Sequence, residues 1–343
     1  MQTKRFVQDL KDEIKYEKEY KYQVPFEKGS YYDNLVYIIS TSLEDNTLVP
    51  TYFNFFKDLF GFHFEYSAFA YTELHSNEDA LMHLSKAIQY GNILLNEAKK
   101  TCGCVKGNNP FLVSNKAVFM TSISLLIKED EAFNTSVENL IDSLNGENCF
   151  IKKGYNKATT SWFVLKLYSL YSKKEITLHR LLQPKLEESF LIVLEDWNSE
   201  DVDDVAMYID ILCNLHLLQA EHDLADADSD DAVNNLRYRE LYLPAMYAFP
   251  YEILTWLKLR EKAGLKNPTE FSHPLMNTPI AKMFLDIKEP LPKPTELPFA
   301  KELLKKLQEK CPNVEIPTWL DGKEVSVEEN KPSDNIIPDD FMG

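Results

Sequence analysis

Asp226, Asp228 and Asp230 alternate within the stretch DADSDD (226–231), the spacing at which side-chain oxygens ligate calcium in a helix–loop–helix site. That loop also needs glycine at its sixth position and a bidentate glutamate at its twelfth. Counted from Asp226, those positions hold Asp231 and Arg237. Without the turn residue and the closing ligand, the stretch is a run of carboxylates and not a calcium cage.

Other reactive side chains are spaced no better. His216 and His222 are six residues apart, about 240° around a helix, so they point to different sides. His75 and His83 lie on adjacent faces of a helix, with no third ligand spaced to join them, and there is no H-E-x-x-H. Cys102, Cys104, Cys149, Cys213 and Cys311 form an odd, scattered set, which is no disulfide framework. Cys102 and Cys104 could give two metal ligands, but no compact second pair lies nearby, so buried or surface thiols are the plainer reading. The sequence has no G-x-S-x-G, no G-x-G-x-x-G and no glycine loop ending in G-K-S/T. Asp203 and Asp204 are adjacent and would point about 100° apart on a helix, which makes no preformed acid–base dyad. No catalytic residue, cofactor or metal is therefore expected.

The carboxylates themselves are the remaining signal. No Lys or Arg occurs between Lys185 and Arg237, and that stretch holds fifteen Asp and Glu residues, close to the whole net charge of −17. A solvated helix face is one reading. The other is a docking surface, which would speed encounter with a basic protein and penalise wrong partners. The partner-binding candidates are Glu200, Asp201, Asp203, Asp204, Glu221, Asp223, Asp226, Asp228, Asp230 and Asp231. The same charge argues against nucleic acid and anionic membranes as direct partners, since both need clustered Lys and Arg. The start, MQTKRFVQDLKDEIKYEKEY, has no apolar signal region, and no apolar run reaches membrane-spanning length. A soluble, cytoplasmic protein is expected.

The elements that would carry these groups read as helices. Only 10 glycines occur in 343 residues, too few turns for a many-stranded sheet protein. In 77–100, Ala80, Leu81, Leu84, Ala87, Ile88, Gly91, Leu94, Leu95 and Ala98 recur at three- and four-residue steps on one face, with Asn77 as N-cap. Thr135 and Glu138 have capping-box spacing. Ser199 would cap a helix whose inner stripe is Val202, Val205, Ala206, Ile209, Leu212, Cys213 and His216. Further helices are expected over 31–44, 49–74, 114–128, 157–172, 177–197, 232–263 and 298–311, with Gly61 and Pro244 as possible breaks. The aromatic run 52–71 reads as core, although an exposed tyrosine subset there would suit protein binding. Four prolines in KEPLPKPTELP (288–298) predict an extended segment laid over the surface or leading to the last helix. The fold expected is all-α: a multi-helix bundle or stacked helical hairpins. An N-terminal helical half (1–150) and a C-terminal one (151–320) would pack as one unit, with an acidic, disordered tail over 321–343.

Three segments stand out: NEDALMHLSKAIQYGNILL (77–95), NPFLVSNKAVFMTSISLLIKEDEAF (109–133), and YLPAMYAFPYEILTWLKLREKAGL with EFSHPLMNTPIAKMF (242–265 and 270–284). They resemble the immunity 49 family of bacterial toxin-immunity proteins. Together they span the chain loosely from about residue 75 to 285, in matching order. The resemblance implies a non-enzymatic antidote that binds a cognate secreted toxin in the cytoplasm and blocks it, a basic nuclease-type toxin being compatible with the charge. It transfers no site residue. The rival readings are a helical-repeat adaptor for another protein and a metal-dependent all-α hydrolase using dispersed Asp and His.

Overall fold

The aromatic run forms the inner member of a helical hairpin. In a computed structural model that describes residues 31–44, 49–100, 115–145, 159–177, 183–227, 241 and 244–321, α1 spans Tyr31–Glu44, α2 Val49–Thr72 and α3 Asn77–Lys100. Every residue of α2 from Leu59 to Ala70 is buried. Apart from His63, Glu65 and Ser67 the stretch is apolar on every side, and such a helix must be enclosed by its neighbours rather than floated on a surface. Gly61 does not interrupt it. Gly91 of α3 explains how closely the two helices approach: a Cβ there would lie 3.2 Å from Phe60 Cδ2. His75 turns the chain with φ 51°, and Ser76, not Asn77, caps α3. Its Oγ accepts from Asp79 N–H (3.4 Å) and donates to Asp79 Oδ2 (2.7 Å).

The remaining helices are α4 (Asn115–Leu126), α5 (Asp130–Leu144), α6 (Thr159–Ser172), α7 (Glu188–Glu195), α8 (Val202–Ala227), α9 (Tyr251–Lys262), α10 (Pro279–Asp286) and α11 (Ala300–Lys310). Short 3-10 turns occupy Pro244–Ala248, Pro274–Asn277 and Thr318–Asp321, and no strand occurs among the described residues. The protein is all-α.

Three expected boundaries move, each for a local reason. Thr135 lies inside α5, which already starts at Asp130. A Schellman turn sets that start: Lys128 takes φ 65°, Glu129 N–H reaches Ser124 O and Lys128 N–H reaches Leu125 O. Of the helix expected over 177–197, Glu188–Glu195 is helical and 183–187 is not, Pro184 disfavouring helical geometry at the residue before it, while 178–182 lie outside the described residues. Of the helix expected over 232–263, 232–240, 242 and 243 lie outside the described residues, and the described end is a 3-10 turn opened by Pro244 followed, after Pro250, by a helix from Tyr251 to Lys262.

α4 and α9 form the second buried axis: Ala117–Leu126 and nearly all of Tyr251–Arg260 are enclosed. They pack on each other, α6 covers α9, and α10 and α11 return to α2. One hydrophobic cluster thus includes described residues from Leu35 to Leu320 and draws on both halves of the sequence. The proline-rich segment is an extended strap over α3. Ser85 Oγ donates to Pro292 O (2.6 Å) and Tyr90 OH to Pro298 O (2.8 Å), while the strap's own Leu291 and Leu297 are buried. The tail from 322 onward lies outside the described residues.

Candidate functional site

The acidic stretch folds as α7, a tight turn and the long α8, and its anchor comes from elsewhere in the sequence. Arg260 of α9 is fully buried and donates to Trp197 O (2.9 Å), Ser199 O (2.7 Å), Lys266 O (2.8 Å) and Asn267 Oδ1 (3.0 Å). Its guanidinium also lies 5.5 Å from the Trp256 ring centroid, and Trp256 Nε1–H donates to Trp197 O. Carbonyls turned inward by a tight bend would be costly without donors, and the planar five-donor fork of arginine supplies them. The turn before α8 is thereby fixed from below by a cation.

Above that anchor the acids divide by role. Asp201 is the N-cap of α8: its Oδ1 accepts from Asp203 N–H (2.9 Å). Ser199, expected as the cap, instead accepts from Asp201 N–H (3.3 Å), one step upstream. Asp196 accepts from Tyr208 OH (3.1 Å). Glu200, Asp203 and Asp204 are exposed, and no ion pair to them occurs among the described residues. The positive end of the helix dipole offsets part of their mutual repulsion.

Glu221 is also exposed, but it does not join that group. It follows Asp203 by 18 residues, five full turns, so it shares the same azimuth about 27 Å away. The backbone of Asp223 and Asp226 falls in the last turns of α8; Asp228, Asp230 and Asp231 lie outside the described residues. Among the described candidates, Glu200, Asp203 and Asp204 therefore stand at one end of a helix face and Glu221 at the other. Between them are Met207, 50% exposed, and Leu218, 62% exposed. The inner stripe agrees with the periodicity: Val205, Ile209, Leu212, Cys213 and His216 are buried, while Val202 and Ala206 are half-buried.

Two buried polar groupings were illegible from spacing, because their members come from different helices. His216 Nδ1 is 2.8 Å from Glu252 Oε1, and its Nε2 faces Met246 O (3.1 Å) and Tyr247 O (3.2 Å). Two carbonyls require Nε2 to carry a proton. Burial opposes charge on this ring, but the Glu252 carboxylate and the carbonyls outweigh it and raise the pKa above the ordinary histidine value. Nearby, burial pushes the Cys213 thiol up, reinforced by Glu252 and Asp210. A thiol held protonated is not a nucleophile. The contact joins α8, the 3-10 turn and α9; it is a structural tie.

The second grouping pairs His83 with His63 of α2, not with His75, which is exposed in the turn. The two Nδ1 atoms are 2.8 Å apart, so one ring donates and the other accepts. Tyr90 stacks on His63 with centroids 5.6 Å apart and planes 3° from parallel. Burial, with the neighbouring His83 and Lys86, pushes His63 well below the ordinary value. Burial and Lys86 bring His83 to about 4. Among the described residues no three His, Cys, Asp or Glu side chains are grouped to hold a metal, and no helix is long and apolar enough to cross a membrane. The aromatic run 52–71 offers little outer surface: Tyr52 and Tyr66 are buried and Tyr71 half-buried. The α7–α8 surface is the candidate site.

Comparison with protein families, curated proteins and solved structures gives no match.

Proposed function

We propose that this protein is an immunity protein, which binds a cognate secreted bacterial toxin in the cytoplasm and occludes it. The α7–α8 surface is the contact, and a basic toxin is the partner. The class rests on the three segments that resemble the immunity 49 family. The placement rests on one observation: Glu200, Asp203 and Asp204 stand exposed, without a bonded cation among the described residues, on a turn that Arg260 holds from below. Carboxylates fixed this way act on an approaching cationic surface without first leaving salt bridges, which favours fast, selective association. A toxin whose active groove is basic would lose that groove to them.

Co-expression tests the reading. The reading requires that a secreted toxin be encoded beside this chain; its toxic domain should be neutralised by this protein, and the two should co-purify. Neither rescue nor complex formation with that product would remove the function. Rescue and binding that persist unchanged after Glu200→Lys, Asp203→Lys and Asp204→Lys together would move the contact elsewhere.

A further inference from the structure

Four of the nine exposed large apolar residues among the described residues lie on α7 and α8: Leu191, Ile192, Met207 and Leu218. On α8 their spacing is informative. Met207, Ile211, Asn214 and Leu218 follow one another at steps of four, three and four, which returns to one line along a helix and is the spacing of a coiled-coil seam. This line faces outward: Asn214 is exposed and Ile211 half-buried, while the core uses the opposite face through Val205, Ile209, Leu212 and His216. Ile211 still packs partly against the core, but Met207 and Leu218, on a helix that already has a full inner face, stand exposed.

Its polar member is partly bonded within the helix. Asn214 Nδ2 donates to Asp210 O (2.8 Å), one turn back, which leaves its Oδ1 and second N–H to be met by what covers the line. A single asparagine in an apolar seam also fixes the register of what lies against it. α7 repeats the arrangement in brief: Glu188, Leu191, Ile192 and Glu195 are its exposed residues.

We propose that the outward line of α8 is the seat of one amphipathic, cationic helix from a partner protein. The ends of the line decide the occupant. Asp203 and Asp204 close one end and Glu221 the other. A second copy of this chain, laid parallel or antiparallel, would set carboxylates against carboxylates at both ends, on molecules each carrying −17. An anionic membrane is repelled for the same reason. A helix with apolar side chains at four-three-four spacing and Lys or Arg about 18 residues apart, some 27 Å, satisfies both the seam and its ends. That the partner is a toxin rests on the function proposed above; the chemistry of the seat rests on α8.

The test uses the full chain and a synthetic capped helix of about 22 residues, with leucines at seam spacing and lysines at both ends, beside a scrambled peptide of the same composition. Saturable one-to-one binding is expected for the designed peptide, and binding about tenfold weaker for the scrambled one. Met207→Gln with Leu218→Gln keeps helix propensity and should weaken the designed peptide about tenfold, with the melting temperature unchanged. Asp203→Lys with Glu221→Lys should weaken it further and remove its salt dependence. Equal binding of both peptides, no binding, or indifference to the glutamine pair overturns the seat. A chain that binds the peptide yet rescues cells from no toxin retains the seat and loses the immunity reading. Neutralisation unaffected by the glutamine pair retains immunity and overturns the seat.

Discussion

Buried histidines with opposite surroundings give this protein two opposed responses to pH. His216 is held above the ordinary histidine value, so the native state binds its proton more tightly than the unfolded chain. That stabilisation is complete below the unfolded value of about 6.5 and is lost as the pH rises through the raised native value. His63 and His83 are shifted down. The unfolded chain takes up protons below about 6.5 that native His83 refuses until about 4, so acidification removes stability. Urea unfolding at a series of pH values should therefore show a maximum between the two regimes. Glu252→Gln should lower that maximum by about 3 kcal/mol and flatten the alkaline side; an unchanged alkaline limb would remove His216 as its cause. Arg260→Lys keeps the charge but not the fork. It should cost about 2–4 kcal/mol by leaving inward carbonyls without donors, read as a lower melting temperature with loosened hydrogen-exchange protection over 196–201.

At the scale of elements, caps and close approaches carry the predictions. Ser76→Ala should cost about 1 kcal/mol, whereas Asn77→Ala, one residue inside α3 and exposed, should be near neutral; chemical denaturation of the pair separates the two assignments. Gly91→Leu places a branched side chain where even a Cβ meets Phe60 at 3.2 Å and should cost about 1–3 kcal/mol by overpacking. Helix existence was legible because apolar spacing is written directly into residues such as Leu84, Ile88 and Leu95, all buried. Boundaries were less so. The end of α4 depends on Lys128 taking a conformation usually given to glycine, and nothing in its residue type announces that. Pro184 and Pro250 break helical geometry locally, but the apolar spacing on either side of them continues and hides the break. Pairings between distant helices, His63 with His83 and His216 with Glu252, have no signature in spacing at all.

The whole molecule sets the approach of a partner. Replacing Glu200, Asp203 and Asp204 by lysine changes the local charge by six units and should slow association with a basic partner about tenfold while flattening its dependence on ionic strength. Stopped-flow rates at low and high salt read both effects. The charge asymmetry behind this was visible in sequence as a stretch free of Lys and Arg. Its division into two ends of a face was not, because the count of carboxylates ignores that Asp203 and Glu221 are five turns apart. The cation under the turn was equally invisible: Arg260 lies 61 residues beyond Ser199, whose carbonyl it holds.

The strap over α3 has a consequence for biosynthesis. Ser85 and Tyr90 receive their partners from residues 207 and 208 positions later in the chain, and Glu97 accepts from Glu315 N–H, 218 positions later. A ribosome adding ~5–20 residues per second leaves that flank of the nascent hairpin bare for roughly 10–40 s. Chains released early, before residue 287, would keep it bare permanently, so truncated products should be recovered bound to chaperones or in inclusion bodies.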